Sequence, residues 1–189
     1  MTKRKPTKIP IDARLRTAYL KLLASQRFDQ IKVKTLIAEA GVSHGSFYLY
    51  YDSVLDVLED IEDQFLESLA VTKYAPQTVY DASHPTDELL NKLTSITAQM
   101  PTFKRLLGPN GDSYFERKMN QFFDEKLTEY FKNAPQQPPL EQQLIQQAVD
   151  GARWSLLKWW SQHDDELSTA QLAQFLNQYM KMIVTLTTK

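Results

Sequence analysis

His44, Gly45, Ser46, Tyr48, Leu49 and Tyr50 fall within seven consecutive residues. An imidazole donates or accepts a hydrogen bond, and serine and tyrosine hydroxyls do both. Glycine lets a second surface approach the backbone closely. On one short helix these groups suit the base edges and phosphate oxygens of a nucleic acid duplex. Phosphate contacts set register there, and base-edge contacts set sequence choice. His44 is the base-edge candidate; Ser46, Tyr48 and Tyr50 are phosphate candidates. Lys32 and Lys34, upstream, add cations for the same backbone. Covalent chemistry is not indicated. The histidines are His44, His84 and His163, and none stands at metal-ligand spacing from another. There is no phosphate-cradling glycine loop and no nucleophile elbow. The expectation is a chain that is not an enzyme and holds no cofactor or metal.

The elements that would position these groups are two short helices and a tight turn. The first of the pair covers Val33 to Ala40, and the second runs from His44 to Tyr50. Leu36, Ile37, Ala40, Val42 and Phe47 supply an apolar inner face. Small Ala40 lets the helices cross closely. Gly41 can take the positive φ that a sharp turn requires, which costs other residues ~1 kcal/mol or more. Ser43 is placed to cap the second helix. Tyr48, Tyr50 and Tyr51 fill three of four positions and cannot all point inward, so at least one is exposed or bound.

Charge is unevenly spread. Residues 1–34 hold ten basic groups against two acids, a net +8, whereas residues 35–67 hold eight acids and no Lys or Arg. A basic end beside an acidic segment fits a polyanion partner at one end only. Lys3, Arg4 and Lys5, with Lys8, read either as an arm laid on DNA, in the minor groove, or as a solvated tail. Arg14 and Arg16 either reach phosphate or solvate the outer face of the first helix.

Apolar residues recur at three- and four-residue spacings along nearly the whole chain, and alternating β-branched runs are scarce. The fold class is therefore all-α, with about nine helices. They are expected over Ile11–Ser25, Val33–Ala40, His44–Tyr50, from Ser53 to a fade near Lys73–Pro76, Asp87–Gln99, Pro101–Gly108, Ser113–Asn133, Leu140–Ser161 and Thr169–Thr187. Ser53 with Asp56 three residues on resembles a capping box for the fourth. Residues 134–139, APQQPP, read as a linker. Two units are expected: 1–52, with the basic arm and helix pair, and 53–189, for association and a candidate ligand. The absence of cysteine fits a cytoplasmic protein. No apolar run approaches ~18 residues, so no membrane span is expected.

In the second unit, Ala148, Gly151, Ala152 and Ser155 form a stripe of small residues that permits close helix approach. With Trp159 and, on the ninth helix, Leu172, Phe175, Leu176, Tyr179 and Ile183, they make a candidate homodimer interface. The alternative buries both stripes within one subunit. Reading a two-fold site requires two recognition helices about 34 Å apart, which favours the dimer. Phe103, Phe115, Phe122, Phe123, Tyr130 and Trp154 either line a pocket for a small-molecule effector or pack as plain core.

At LIAEAGVSHGSFYLYYDSVLDVL the chain resembles the TetR family of bacterial regulators, with FDQIKVKTLIAEAGVSHGSFYLYY similar to its Firmicutes-type branch. FKRLLGPNGDSYFERKM and ARWSLLKWWSQHDDELSTAQLAQFL are similar to the helical domain of that branch. The resemblance implies a homodimer built on the last two helices, repression by binding a double-stranded DNA operator, and release by a small ligand in the C-terminal domain. Two positions depart from the family pattern. Val54 stands where a phosphate-contacting Lys is usual at the start of the fourth helix, and Lys32 where Thr is frequent. The rival readings are a non-specific DNA-binding protein and a helical protein-interaction adaptor.

Overall fold

The computed structural model describes residues 9–70, 87–133 and 139–187. Lys3, Arg4, Lys5 and Lys8 lie outside the described residues, as do the side chains of Tyr130 and Ile183. Among the described residues there are nine α-helices and no strand. They are α1 (Ile11–Leu22), α2 (Val33–Ala40), α3 (His44–Tyr48), α4 (Val54–Ala70), α5 (Asp87–Ala98), α6 (Met100–Leu107), α7 (Ser113–Asn133), α8 (Pro139–Gln162) and α9 (Thr169–Thr187).

Helix α1 buries Leu15, Ala18, Tyr19 and Leu22, spaced as one face of a 3.6-residue helix requires. It stops three residues short of the expected Ser25. Ala24 and Ser25 donate to the carbonyls of Lys21 and Leu22, three residues back, so the helix tightens and ends. A single 3-10 turn at Phe28–Gln30, absent from the sequence reading, then carries the chain to α2.

The first three helices meet at Leu15, Tyr19, Leu36, Ala40 and Phe47, with Ile37 and Val42 half-buried against them. Helix α4 closes this core with Val57, Leu58 and Ile61, then continues into the larger body with Phe65 and Leu69. In the body Phe65 stacks on Phe103 (centroids 5.5 Å apart) and meets the edge of Phe115 at 5.7 Å. Trp160 is buried, and its indole N–H donates to the Leu167 carbonyl at 2.9 Å, fixing the turn into α9. One apolar cluster thus runs through both parts of the molecule, with α4 as its common wall.

Candidate nucleic-acid interface

Local chemistry sets the turn between α2 and α3. Gly41 adopts φ 62° and ψ 38°, the left-handed region that favours glycine. Val42 donates to the Ile37 carbonyl and Gly41 to that of Ala38. Ser43 accepts from the Ser46 backbone N–H at 3.1 Å, and the two serine hydroxyls are 2.7 Å apart. Ser43 is therefore the expected cap, and the Ser46 hydroxyl is tied to it. Helix α3 ends at Tyr48 rather than Tyr50; Tyr50 and Tyr51 both donate to the Phe47 carbonyl, closing a turn toward α4.

Phe47 is fully buried and pins α3 to the core. The opposite face looks outward. Leu49 is 81% exposed, and Tyr48 and Tyr50 are about half exposed. His44 packs obliquely on Tyr48, with ring centroids 4.9 Å apart. A Cβ added at Gly45 would meet nothing within 4 Å, so no packing inside the molecule demands glycine there. Lys32 and Lys34 are exposed, and neither joins an ion pair among the described residues.

Tyr51 turns inward. Its hydroxyl donates to Asp60 of α4 at 2.5 Å, and Arg16 of α1 donates to the same carboxylate oxygen at 2.8 Å. Burial pushes the Asp60 carboxyl up, but the bonds from Tyr51, Arg16 and Gln64 prevail and hold it below the usual carboxylate range. Burial, then the bond to Asp60, pushes the Tyr51 phenol up to about 12. At the start of α4, Asp56 accepts from the Ser53 backbone N–H at 3.0 Å while the Ser53 hydroxyl accepts from Asp56 N–H at 3.2 Å. The capping box is thus reciprocal. The Ser53 hydroxyl also donates to Asp56 Oδ1 at 2.6 Å, and that bond first, then those from the backbone N–H groups, holds the Asp56 carboxyl low. Val54 is half-buried against the core.

The basic residues of α1 do other work than either alternative read from sequence. Arg14 directs Nε and Nη2 at the Ala40 carbonyl (3.1 and 2.7 Å) and Nη2 at that of Gly41 (2.5 Å). It caps the end of α2, where carbonyls lack helical partners and a cation is favoured. Arg16 also pairs with Asp12. Lys21 pairs with Glu39 across α1 and α2, and Arg27 with Asp29. Of the described cations before residue 35, Lys32 and Lys34 are the two that join no ion pair or side-chain hydrogen bond among the described residues.

A second junction escaped the sequence reading. Asn110, in the turn between α6 and α7, donates from Nδ2 to the Leu23 carbonyl at 3.1 Å, and its own carbonyl accepts from Phe28 N–H at 2.9 Å. No local pattern marks an asparagine that bonds 87 positions away.

The association and effector sets divide. Ala148, Gly151, Ser155, Trp159 and Phe175 are exposed, and Ala152 and Tyr179 half-buried. Leu172 and Leu176 are instead buried in their own subunit, because with Ala173 they form the face of α9 that packs on α5. Of the aromatic set, Phe103 belongs to the Phe65 stack, which leaves it in core and not on a pocket wall. Phe122 and Phe123 meet edge to face, with the Lys92 ammonium 5.0 and 5.3 Å from their centres. Phe115 and Trp154 do line a cavity, of about 160 Å³, beneath residues 106–113. Drug-sized sites span about 300–1,000 Å³. Among the described residues no three His, Cys, Asp or Glu side chains converge as a metal site. No helix among them is long and apolar enough to cross a membrane.

An all-helical molecule with an outward-facing helix-turn-helix and a larger helical body is the architecture of a regulator of transcription. The family model for a TetR-type transcriptional regulator C-terminal region matches residues 83–182, and the chain belongs to the TetR family of transcriptional regulators. Among curated proteins, an uncharacterized HTH-type transcriptional regulator, YxbF of Bacillus subtilis (strain 168), is 33% identical over 82 residues. That match spans 43% of this chain and 20% of the relative. Among solved structures, a TetR transcriptional regulator from Streptococcus agalactiae 2603V has a TM-score of 0.66 at 17% identity, covering 95% of this chain and 94% of that one. The fatty acid degradation regulator FadR from Bacillus halodurans has a TM-score of 0.58 at 16% identity and 97% coverage of both chains. The dihydroxyacetone kinase operon activator DhaS has a TM-score of 0.57 at 16% identity, covering 95% of this chain and 97% of that one. These structures establish the shared all-helical fold.

Proposed function

We propose that the chain is a sequence-specific DNA-binding regulator that acts as a homodimer and represses transcription from a double-stranded operator. The observation that carries this is the outer face of α3 and of the turn after it: Tyr48, Leu49 and Tyr50 are solvated, as are His44 and an open Gly45, and Lys32 and Lys34, which precede them in sequence, are exposed and join no ion pair among the described residues. A leucine 81% exposed gains nothing from the fold and suits apolar contact with a thymine methyl. His44 reads a base edge, and Lys32, Lys34, Tyr48 and Tyr50 hold phosphate. Lys3, Arg4 and Lys5 extend the contact as an arm.

The second copy joins along α8 and α9. Leu140, Leu144, Ala148, Gly151, Ser155 and Trp159 recur every three or four residues along the exposed face of α8, and Phe175 and Met182 are about half exposed on α9. A stripe of this kind, large at its ends and small in its middle, suits a helix-on-helix joint between identical surfaces.

The deciding experiment is selection of binding sites from random DNA, followed by affinity for the selected site and for random duplex at one salt concentration. A specific reader gains ~10³-fold or more. A ratio near one favours the non-specific binder, and no salt-dependent binding favours the adaptor. Tyr48→Ala is expected to weaken operator affinity with the fold intact, and changing His44 to alter sequence preference. Because DhaS is named an operon activator, a reporter downstream of the selected site tests the sign of regulation. Rising expression on removal of the protein supports repression.

A further inference from the structure

Between Lys34 and Gln64 the sequence contains no Arg, Lys, Asn or Gln, and between Ser43 and Tyr51 it contains no carboxylate. Those are the side chains that pick out guanine, adenine and cytosine by hydrogen bonds in the major groove. Helix α3 carries none of them. One imidazole remains. Both purines present N7 as an acceptor in that groove, so an N–H of His44 separates purine from pyrimidine and not adenine from guanine. The Ser46 hydroxyl is engaged with that of Ser43 at 2.7 Å. A surface with this inventory draws its further discrimination from something other than paired hydrogen bonds.

What it does hold is a free apolar side chain. Leu49 is the most exposed large apolar residue among those described. Its backbone is helical, at φ −77° and ψ −18°, and it follows Gly45 by four positions, so the two share a face. A Cβ added at Gly45 would stand in open space, so the glycine leaves a gap one turn before Leu49. Through that gap a base edge can come within contact of the leucine methyl groups. The adjoining row is otherwise occupied. His44 and Tyr48 pack on each other at 4.9 Å, and Tyr48 meets the edge of the buried Phe47 ring at 5.1 Å. Lys32 and Lys34, exposed and joined to no ion pair among the described residues, favour a polyanion over a protein as the occupant.

We propose that this face chooses its operator through the C5-methyl group of thymine. Leu49 is the specificity-determining residue, Gly45 is the gap that admits the base edge, and His44 demands only a purine. Thymine is the base that displays a methyl group in the major groove, and apolar side chains recognise it there. Each half-site therefore holds a thymine against Leu49 and a purine of either kind against His44. The inference rests on the DNA-reading function proposed above and names the class of base which that function selects. Burying one methyl group is worth about fourfold in affinity, so two half-sites together give roughly tenfold or more.

Uracil pairs with adenine as thymine does and lacks only the methyl group, so it isolates the contact. Binding sites are selected from random DNA with the full chain. Each thymine of the selected duplex is then replaced by deoxyuridine, in both half-sites together, and affinity is measured at one salt concentration. The expected result is a loss of roughly tenfold or more at one thymine position. Leu49→Ala, whose helicity and thermal unfolding report an intact fold, should bind the thymine and uracil duplexes alike. Lys34→Ala should weaken both duplexes and preserve the ratio between them. A selected site without a recurring thymine, an affinity that no uracil replacement lowers, or a uracil penalty that survives in Leu49→Ala overturns the proposal and leaves the DNA-reading function standing. A ratio near one between the selected site and random duplex removes that function, and this inference with it.

Discussion

The contact between Arg14 and the end of α2 makes a quantitative test of how the turn before α3 is held. In Gly41→Ala two costs arise. An L-residue in the left-handed region costs about 1–2 kcal/mol. The added Cβ would also stand 3.0 Å from Arg14 Nη2, tight enough that the guanidinium must shift from the carbonyls it caps. Losing those charge-assisted bonds is worth roughly 1.5–3 kcal/mol when complete, and less here because the site is partly exposed and the arginine can readjust. Gly41→Ala is therefore expected to cost about 2–3 kcal/mol in the native background. With Arg14→Met already in place, only the backbone cost of about 1–2 kcal/mol remains. The coupling of about 1 kcal/mol is read from a double-mutant cycle by urea and thermal unfolding. For a chain of this length each kcal/mol moves Tm by about 2–4 °C. Protomer concentration is held fixed throughout, since association shifts Tm. An identical cost of Gly41→Ala in both backgrounds would refute the claim that Arg14 acts through this turn.

Other changes separate folding from function. Gly45→Ala meets open space and improves helix propensity by up to about 1 kcal/mol, so Tm should hold or rise while operator affinity falls; retained affinity would remove close backbone approach from the reading surface. Phe175→Asp places a charge on the exposed face of α9, and sedimentation should show monomer with circular dichroism unchanged. Glu62 gives a pH signature. Its native carboxyl keeps a proton to about pH 7 that the unfolded chain releases near 4.5, so native stability falls as pH rises through that window. The stability of Glu62→Gln relative to the unsubstituted chain should then rise between pH 5 and 8, by up to about 3 kcal/mol. A flat difference across that window would show that Glu62 does not titrate as its burial requires.

The features legible in sequence were those whose causes are local. Gly41, the Ser43 cap and the Ser53–Asp56 box each act within four residues, and the structure has all three. Periodicity placed α2, α7 and α9 at the bounds observed. What it could not supply was the partner of each face. Leu172, Leu176 and Phe175 share one helix, yet the first two meet α5 of the same subunit and the third meets solvent. Arg14 and Arg16 looked like surface cations because the acceptors that tie them to other helices lie 26 and 44 residues away. Phe103 and Phe115 fit a pocket wall or, more readily, plain core in sequence, and Phe65 stacks on the first and meets the edge of the second.

The shared carboxylate of Asp60 bears on any attempt to transplant the reading surface into another regulator. A graft ending at residue 52 would carry Arg16 and Tyr51 into a host without their common acceptor, leaving Arg16 with Asp12 alone and the Tyr51 phenol without its carboxylate at the seam. A chimaera keeping the donor's own α4 through Gln64 brings the acceptor along, and the Asn110 bonds mark the second seam that its host must supply.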